Sequence, residues 1–179
     1  MLDSMRRLIT LLVATSALLL TVAVKPASAG AGNGGWVPAP SAPFDLPAGA
    51  RCDFPVHAEP LVDQVRTRVL ATYPDGSTKR EAYTGALIER VTNTATGRSV
   101  DVDLSGSSVV AYRPGGTLTT DSTWYAVGPA MFGFKEGGGD HPRGLWVFDG
   151  LYTVGFGPTG YKTVTIYHGT EHNTCTDLD

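Results

Sequence analysis

Cysteine and histidine are scarce in this chain, two and four in 179 residues. Cys52 and Cys175 have no CxxC spacing, and no histidine stands beside Cys52, which argues against a zinc ribbon or a thiol redox motif. Basic clusters are lacking as well, and the formal net charge is -3, so nucleic acid is not an expected partner. No basic amphipathic helix is visible that would ride on a membrane surface. Beyond the first residues, no stretch of any length carries apolar side chains at helical spacing. P-loop and dinucleotide fingerprints are missing, and Ser105-Gly106-Ser107 lacks the G-x-S-x-G elbow of a serine hydrolase. No cofactor is expected.

What is present begins with an export grammar. Met5-Arg6-Arg7 is followed by an apolar stretch from Leu8 to Val24, then Lys25-Pro26 and the small triplet Ala27-Ser28-Ala29. Charge, a greasy segment and small side chains before a cut describe a signal peptide over 1–29, cleaved after Ala29. Pro26 supports this by leaving the cleavage site extended. An uncleaved anchor and twin-arginine export are weaker readings, and the absence of Cys near the cut disfavours a lipoprotein. Met5 serves as a start codon as well as Met1 does. The expected localisation is therefore outside the cell, with no membrane attachment after cleavage.

About 150 residues then remain, the size of one ordinary domain with a real core. In an exported chain an even cysteine count reads as a disulfide, so Cys52 and Cys175 are expected to pair. Closing so large a loop is worth on the order of 4 to 5 kcal/mol in the chain-entropy picture, less any native strain. Residues 30–50, rich in Gly, Pro, Ala and Ser, read as a flexible leader, with Trp36 and Phe44 its only large apolar groups. The domain proper covers 51–179.

Within it, short β-prone runs alternate with turn signals. Val65, Thr67, Val69, Ala71 and Tyr73 share one strand face, and Pro74-Asp75-Gly76-Ser77 turns the chain. Lys79 to Thr84 and Leu87 to Thr92 follow, divided by Gly85; Asn93 to Gly97 reads as a hairpin loop, before Val100, Val102 and Leu104. Further strands are expected at Val109 to Arg113, Thr117 to Thr120, Trp124 to Val127, Leu145 to Phe148, Tyr152 to Phe156 and Tyr161 to His168. Pro114-Gly115-Gly116, Asp149-Gly150 and Gly157 to Gly160 are read as turns between them. Strands at intervals of about 8 to 12 residues indicate an all-β fold, an antiparallel meander of about eight to nine strands. Short connections favour a barrel; Leu145 to Phe148, apolar on both faces, sits better with a sandwich.

Cys52-Asp53-Phe54-Pro55-Val56, Thr92 to Gly97, Gly144-Leu145-Trp146 and Cys175 together resemble a set of uncharacterised secreted proteins of actinomycete-type bacteria. The resemblance spans Cys52 to Cys175 and implies export and a compact β domain. It carries no functional residues.

Four groups of residues are candidates for chemistry. Asp140-His141-Pro142-Arg143 follows the run Gly137-Gly138-Gly139: Asp140 next to His141 suits acid–base work, and Arg143 suits an anion. Adjacent strand residues, however, point to opposite faces. Glu89 faces the core if Leu87 and Val91 do, and an inward carboxyl in a β protein is a hook for a ligand or an acid; moving the register by one residue puts Ile88 inward instead. His168 and His172, four apart with Glu171 between, have ligand spacing only on a helix, so a solvated segment is preferred over a metal site. Trp124, Tyr125, Trp146, Tyr152, Tyr161 and Tyr167 could form a stacking surface, Trp124 and Trp146 foremost, or simply fill the core. The leading expectation is a non-enzymatic extracellular protein binding a small molecule, glycan or protein. A small barrel-type enzyme using Glu89, Asp140 or His141 and a structural envelope protein are the alternatives.

Overall fold

The computed structural model describes residues 34–179, and the expected signal peptide lies outside them. The chain is all-β, with two antiparallel sheets of eight and four strands. In chain order the strands are β1 Val37–Pro38, β2 Phe44–Leu46, β3 Val56–Asp63, β4 Arg66–Thr72, β5 Thr78–Thr84, β6 Leu87–Asn93, β7 Ser99–Asp103, β8 Ser107–Thr117, β9 Thr120–Val127, β10 Ala130–Phe134, β11 Gly144–Phe156 and β12 Lys162–Asn173. A single turn of helix, α1 Cys175–Leu178, follows; among the described residues no helix is long and apolar enough to cross a membrane.

The large sheet runs β1-β4-β5-β8-β9-β11-β10, with β12 also paired to β11, and the small sheet runs β2-β3-β6-β7. Neither sheet closes on itself, an arrangement that favours the sandwich over the closed barrel of the two expected forms. The strands number twelve rather than eight or nine, partly because chain expected to be a loose leader is structured. Val37 and Pro38 pair with Thr67 and Arg66, and Phe44 to Leu46 pair with β3. Two- and three-residue strands leave too short an alternation to read in sequence, and Pro38 is tolerated because β1 is an edge.

The two sheets are joined by strands that bend along a shared crease. β3 and β6 of the small sheet continue into β4 and β5 of the large one; the Gln64 N–H donates to the Ala86 carbonyl at 2.8 Å where they cross. The row continues through Leu104 N–H to Leu87 carbonyl (2.8 Å), Gly106 N–H to Pro129 carbonyl (2.9 Å) and Gly128 N–H to Gly150 carbonyl (2.8 Å). Gly150 in turn pairs with Gly169. Glycine is required here for close approach. A Cβ on Gly85 (φ 139°) would strike the Gln64 carbonyl, and one on Gly150 (φ 126°) the His168 carbonyl. Asp149-Gly150 is thus not a turn: β11 runs straight through it, bending at the crease. Pro114 to Gly116 likewise lies inside β8 as an irregularity, and the chain reverses at Leu118-Thr119.

Strand parity fills two core clusters. Phe148, Tyr152, Val154 and Phe156 of β11 meet Phe132 and Phe134 of β10 and Ala126 of β9 on the inner face of the large sheet. Leu145, on the opposite face of β11, joins Val56, Ala58, Val91, Cys52 and Leu178 against the small sheet. This is why Leu145 to Phe148 is apolar on both sides. Cys52 and Cys175 form a disulfide, 5.5 Å between Cα atoms across 123 residues of sequence. Beside it Leu178 is fully buried, and the Asn93 side-chain amide donates to its carbonyl at 3.0 Å. The domain's two ends are latched onto the small sheet.

Candidate ligand cleft between the sheets

Inside the crease, where β7 and β10 diverge into different sheets, the layers do not meet. A cleft of about 600 Å³ remains. Its wall on the large sheet is aromatic: Tyr83 stacks on Trp124 (ring centroids 5.9 Å), and Trp124 meets Phe132 edge-on (5.6 Å), with Phe156 and Tyr152 alongside. The wall on the small sheet carries Phe44, Leu46, Leu87 and Glu89. Phe44 and Leu46 come from the segment read as a leader.

Glu89 faces inward because its strand neighbours at the same parity, Val91 and Asn93, are buried, and it is itself only 6% exposed. No hydrogen bond or ion pair reaches its carboxyl among the described residues. Burial pushes its pKa up, and the nearby Asp63 carboxylate adds to the rise. Asp63 is held by the backbone N–H groups of Ser41 and Val65, so it keeps its place beside the cleft. A second polar group is also unpartnered: the Tyr152 hydroxyl is the only buried polar side-chain atom among the described residues with no hydrogen bond. Its residue lines the same cleft.

Two cations complete the lining. Arg51 lies against Gly133 of β10, whose missing side chain makes room: a Cβ there would sit 2.7 Å from the arginine Nε. Lys162 places its Nζ 5.3 Å from the Phe134 ring centroid and 5.5 Å from that of Phe156. Burial pushes both pKa values down, and for Lys162 the positive charges of Arg51 and Lys135 push the same way. Neither cation pairs with a carboxylate among the described residues. No protein-family model, curated protein or solved structure matches this chain.

A different carboxyl on the inner face is fully engaged. Glu81 accepts from the hydroxyls of Thr67 (2.6 Å), Tyr83 (2.9 Å) and Tyr112 (3.0 Å), which fixes the Tyr83 ring in the cleft wall. Burial drives the Tyr112 hydroxyl far above its usual pKa, with Tyr83 and Glu81 adding to it, so both tyrosines stay protonated donors.

The remaining sequence candidates assemble elsewhere. His141 Nδ1 is 2.8 Å from Asp140 Oδ1 and its Nε2 is 3.0 Å from Glu171 Oε2, so both ring nitrogens are occupied. The ring packs on Phe134, Trp146 and Phe148 at 5.1 to 5.3 Å. Asp140 touches His141 after all, because both lie in a loop. Asp140 also accepts the Val164 N–H at 2.8 Å. Arg143 pairs with Asp53, and the Trp146 indole donates to the Pro142 carbonyl at 2.9 Å. This cluster fastens the loop between β10 and β11 onto β12 and leaves no nitrogen free to act as a base. Nor do His168, Glu171 and His172 converge: they lie along β12, Glu171 binds His141, and His172 binds Asp177 at 2.7 Å. Of the sequence candidates, then, Glu89, Trp124 and Tyr152 line the cleft, and Asp140, His141, Arg143 and Trp146 do not.

Arg51, Lys162 and Tyr83 are cleft residues with no prior signal as site residues, whereas Tyr152 is one of the aromatics expected as a stacking surface or core filling. Arg51 adjoins Cys52 and Lys162 opens a strand, positions that read as ordinary surface charge. The parity of Tyr83 with Glu81 and of Tyr152 with Val154 was available, but it does not separate a cleft wall from a filled core.

Proposed function

We propose that this chain is an exported, non-enzymatic binding protein that encloses an apolar small molecule in the cleft between its sheets, with Glu89 as the polar hook. The observation that carries this reading is Glu89, a side chain only 6% exposed whose carboxyl meets no partner among the described residues and lines the aromatic-walled space. A buried polar group is ordinarily hydrogen-bonded, and leaving one unmade is costly. A donor or acceptor on a ligand removes that cost. The volume falls in the range of about 300 to 1,000 Å³ typical of small-molecule sites. Export is supported by the charge–apolar–small-residue grammar before Ala29 and by a disulfide, a bond favoured in oxidising compartments.

Native mass spectrometry of the protein recovered from culture medium tests the proposal directly. The expected spectrum carries one equivalent of a small apolar molecule that is released on denaturation, on a chain whose first residue is Gly30. Protein that carries no such mass and shows no saturable binding of a neutral fluorescent probe such as N-phenylnaphthylamine removes the reading.

A further inference from the structure

We propose that the molecule held in this cleft is an aromatic or alicyclic acid whose carboxylate sits between Arg51 and Lys162; the inference rests on the cleft being a binding site. The two cations flank the edge strand β10 from its two faces, Arg51 against Gly133 on the Leu145 side and Lys162 over the ring of Phe134 on the other. Both line the cleft. Two cations that line one partly apolar cleft and repel each other call for a carboxylate. Here the described residues supply none: Asp53 is taken by Arg143, Glu171 by His141, and Asp63 stands on the other side beside Glu89. Lys162 is left with only the faces of two rings, a weaker partner than an anion.

Gly133 gives the arrangement a second, independent mark. Any side chain at this position would push the Arg51 guanidinium away from β10. The close seat of Arg51 is therefore built into the strand. Arginine's planar fork matches a carboxylate with two parallel hydrogen bonds, and Lys162 adds a point charge. At the other wall, Glu89 belongs to β6, where it pairs with Pro60 and Val102, and no cation stands at ion-pair distance from it. The lining thus joins two cations and one acid to the rings of Trp124, Phe132 and Phe156. A ring-bearing acid with a hydroxyl or keto oxygen toward Glu89 satisfies the cations, the acid and the rings. An all-apolar ligand leaves the two cations repelling each other.

Displacement of N-phenylnaphthylamine from the intact secreted protein tests this, using naphthaleneacetate and naphthaleneethanol as competitors with the same ring body. The acid is expected to displace the probe at a concentration about tenfold or more below that of the alcohol, the margin of a charge-assisted contact. In the Arg51→Met, Lys162→Met double variant, which keeps both apolar stems, the two competitors become equal. Equal potency in the wild-type protein overturns the anion site and leaves the cleft as a binding site. A preference for the acid that survives in the double variant places the anion elsewhere and also overturns it. If the probe does not bind saturably at all, the cleft reading itself falls, and the acid ligand with it.

Discussion

The loop cluster around His141 and the cleft around Glu89 draw on the same side-chain chemistry and use it in opposite ways. At His141 every polar group is answered within the chain: two carboxylates hold the two ring nitrogens, Asp53 holds Arg143, and Pro142 takes the Trp146 indole. In the cleft, Glu89, the Tyr152 hydroxyl and Lys162 have no hydrogen-bond partner among the described residues, and Arg51 donates only to the Ala50 carbonyl, at 2.7 Å. A satisfied network rigidifies what it joins, whereas unanswered polar groups in an apolar setting cost stability until something binds them. The Asp-His pair that stands out in the sequence is tied into the loop's own network, and the isolated glutamate is the group that the proposed function assigns to a ligand.

The contrast predicts opposite signs for mutation. His141→Ala leaves Asp140 and Glu171 without their shared donor and opens a hole among three aromatic rings, so it is expected to destabilise by about 2 to 4 kcal/mol. The pH dependence identifies the cause. Burial of the ring opposes protonation, but hydrogen bonds and charge from Glu171 and Asp140 outweigh it, and the His141 pKa is raised above 6.5. A pKa raised in the folded state contributes stability that is complete below the unfolded value and disappears as pH rises through the folded one. Urea unfolding of the wild type should therefore weaken across that window, and His141→Ala should show no such step. A step of equal size in both proteins would separate the ion pairs from the packing.

Glu89→Gln is expected to act the other way, stabilising by about 1 kcal/mol at neutral pH. Here the raised pKa belongs to an acid, so the folded state binds its proton more tightly than the unfolded chain does. Stability then falls as pH rises from the ordinary carboxylate range through the folded value, and stays low above it. The glutamine variant lacks this fall, which begins in the ordinary carboxylate range, whereas the His141 step begins in the ordinary histidine range. Denaturant midpoints measured from acid to neutral pH resolve the two windows. A loss of stability in Glu89→Gln at neutral pH would mean that the carboxylate has a partner in the folded chain, and the comparison would collapse.

Much of the frame was legible because it follows from short-range rules. Alternation along Val100, Val102 and Leu104 against Asp101 and Asp103 marks β7, and the even pair of cysteines marks the latch. The crease was not legible for a physical reason. A strand bending against its neighbour needs the same positive-φ freedom as a tight turn, so Asp149-Gly150 carries a turn's signature inside a continuous strand. Glu89 could be placed inward only by choosing one register over another, and half-buried Ile88 supports either. The cationic part of the lining was illegible altogether. Arg51 and Lys162 are 111 positions apart in the chain, and only the fold brings both to the lining of one cleft.

The smallest effect tests the contrast most sharply. Tyr152→Phe deletes only the hydroxyl, leaving a ring that is 1% exposed and packs on Phe148 at 5.6 Å. Removing a buried hydroxyl from a hydrogen bond costs about 1 kcal/mol, but removing one that has no partner relieves a desolvation penalty. The variant is therefore expected to unfold at the same denaturant concentration as the wild type or slightly above it, within about 0.5 kcal/mol. If the protein is purified with its ligand, the same substitution should instead lower the stability of the loaded form, because the hydroxyl then has something to hold. A substitution that is neutral in the empty protein and destabilising in the loaded one locates the ligand at Tyr152; a loss of equal size in both forms assigns the hydroxyl to the core and takes it out of the cleft's chemistry.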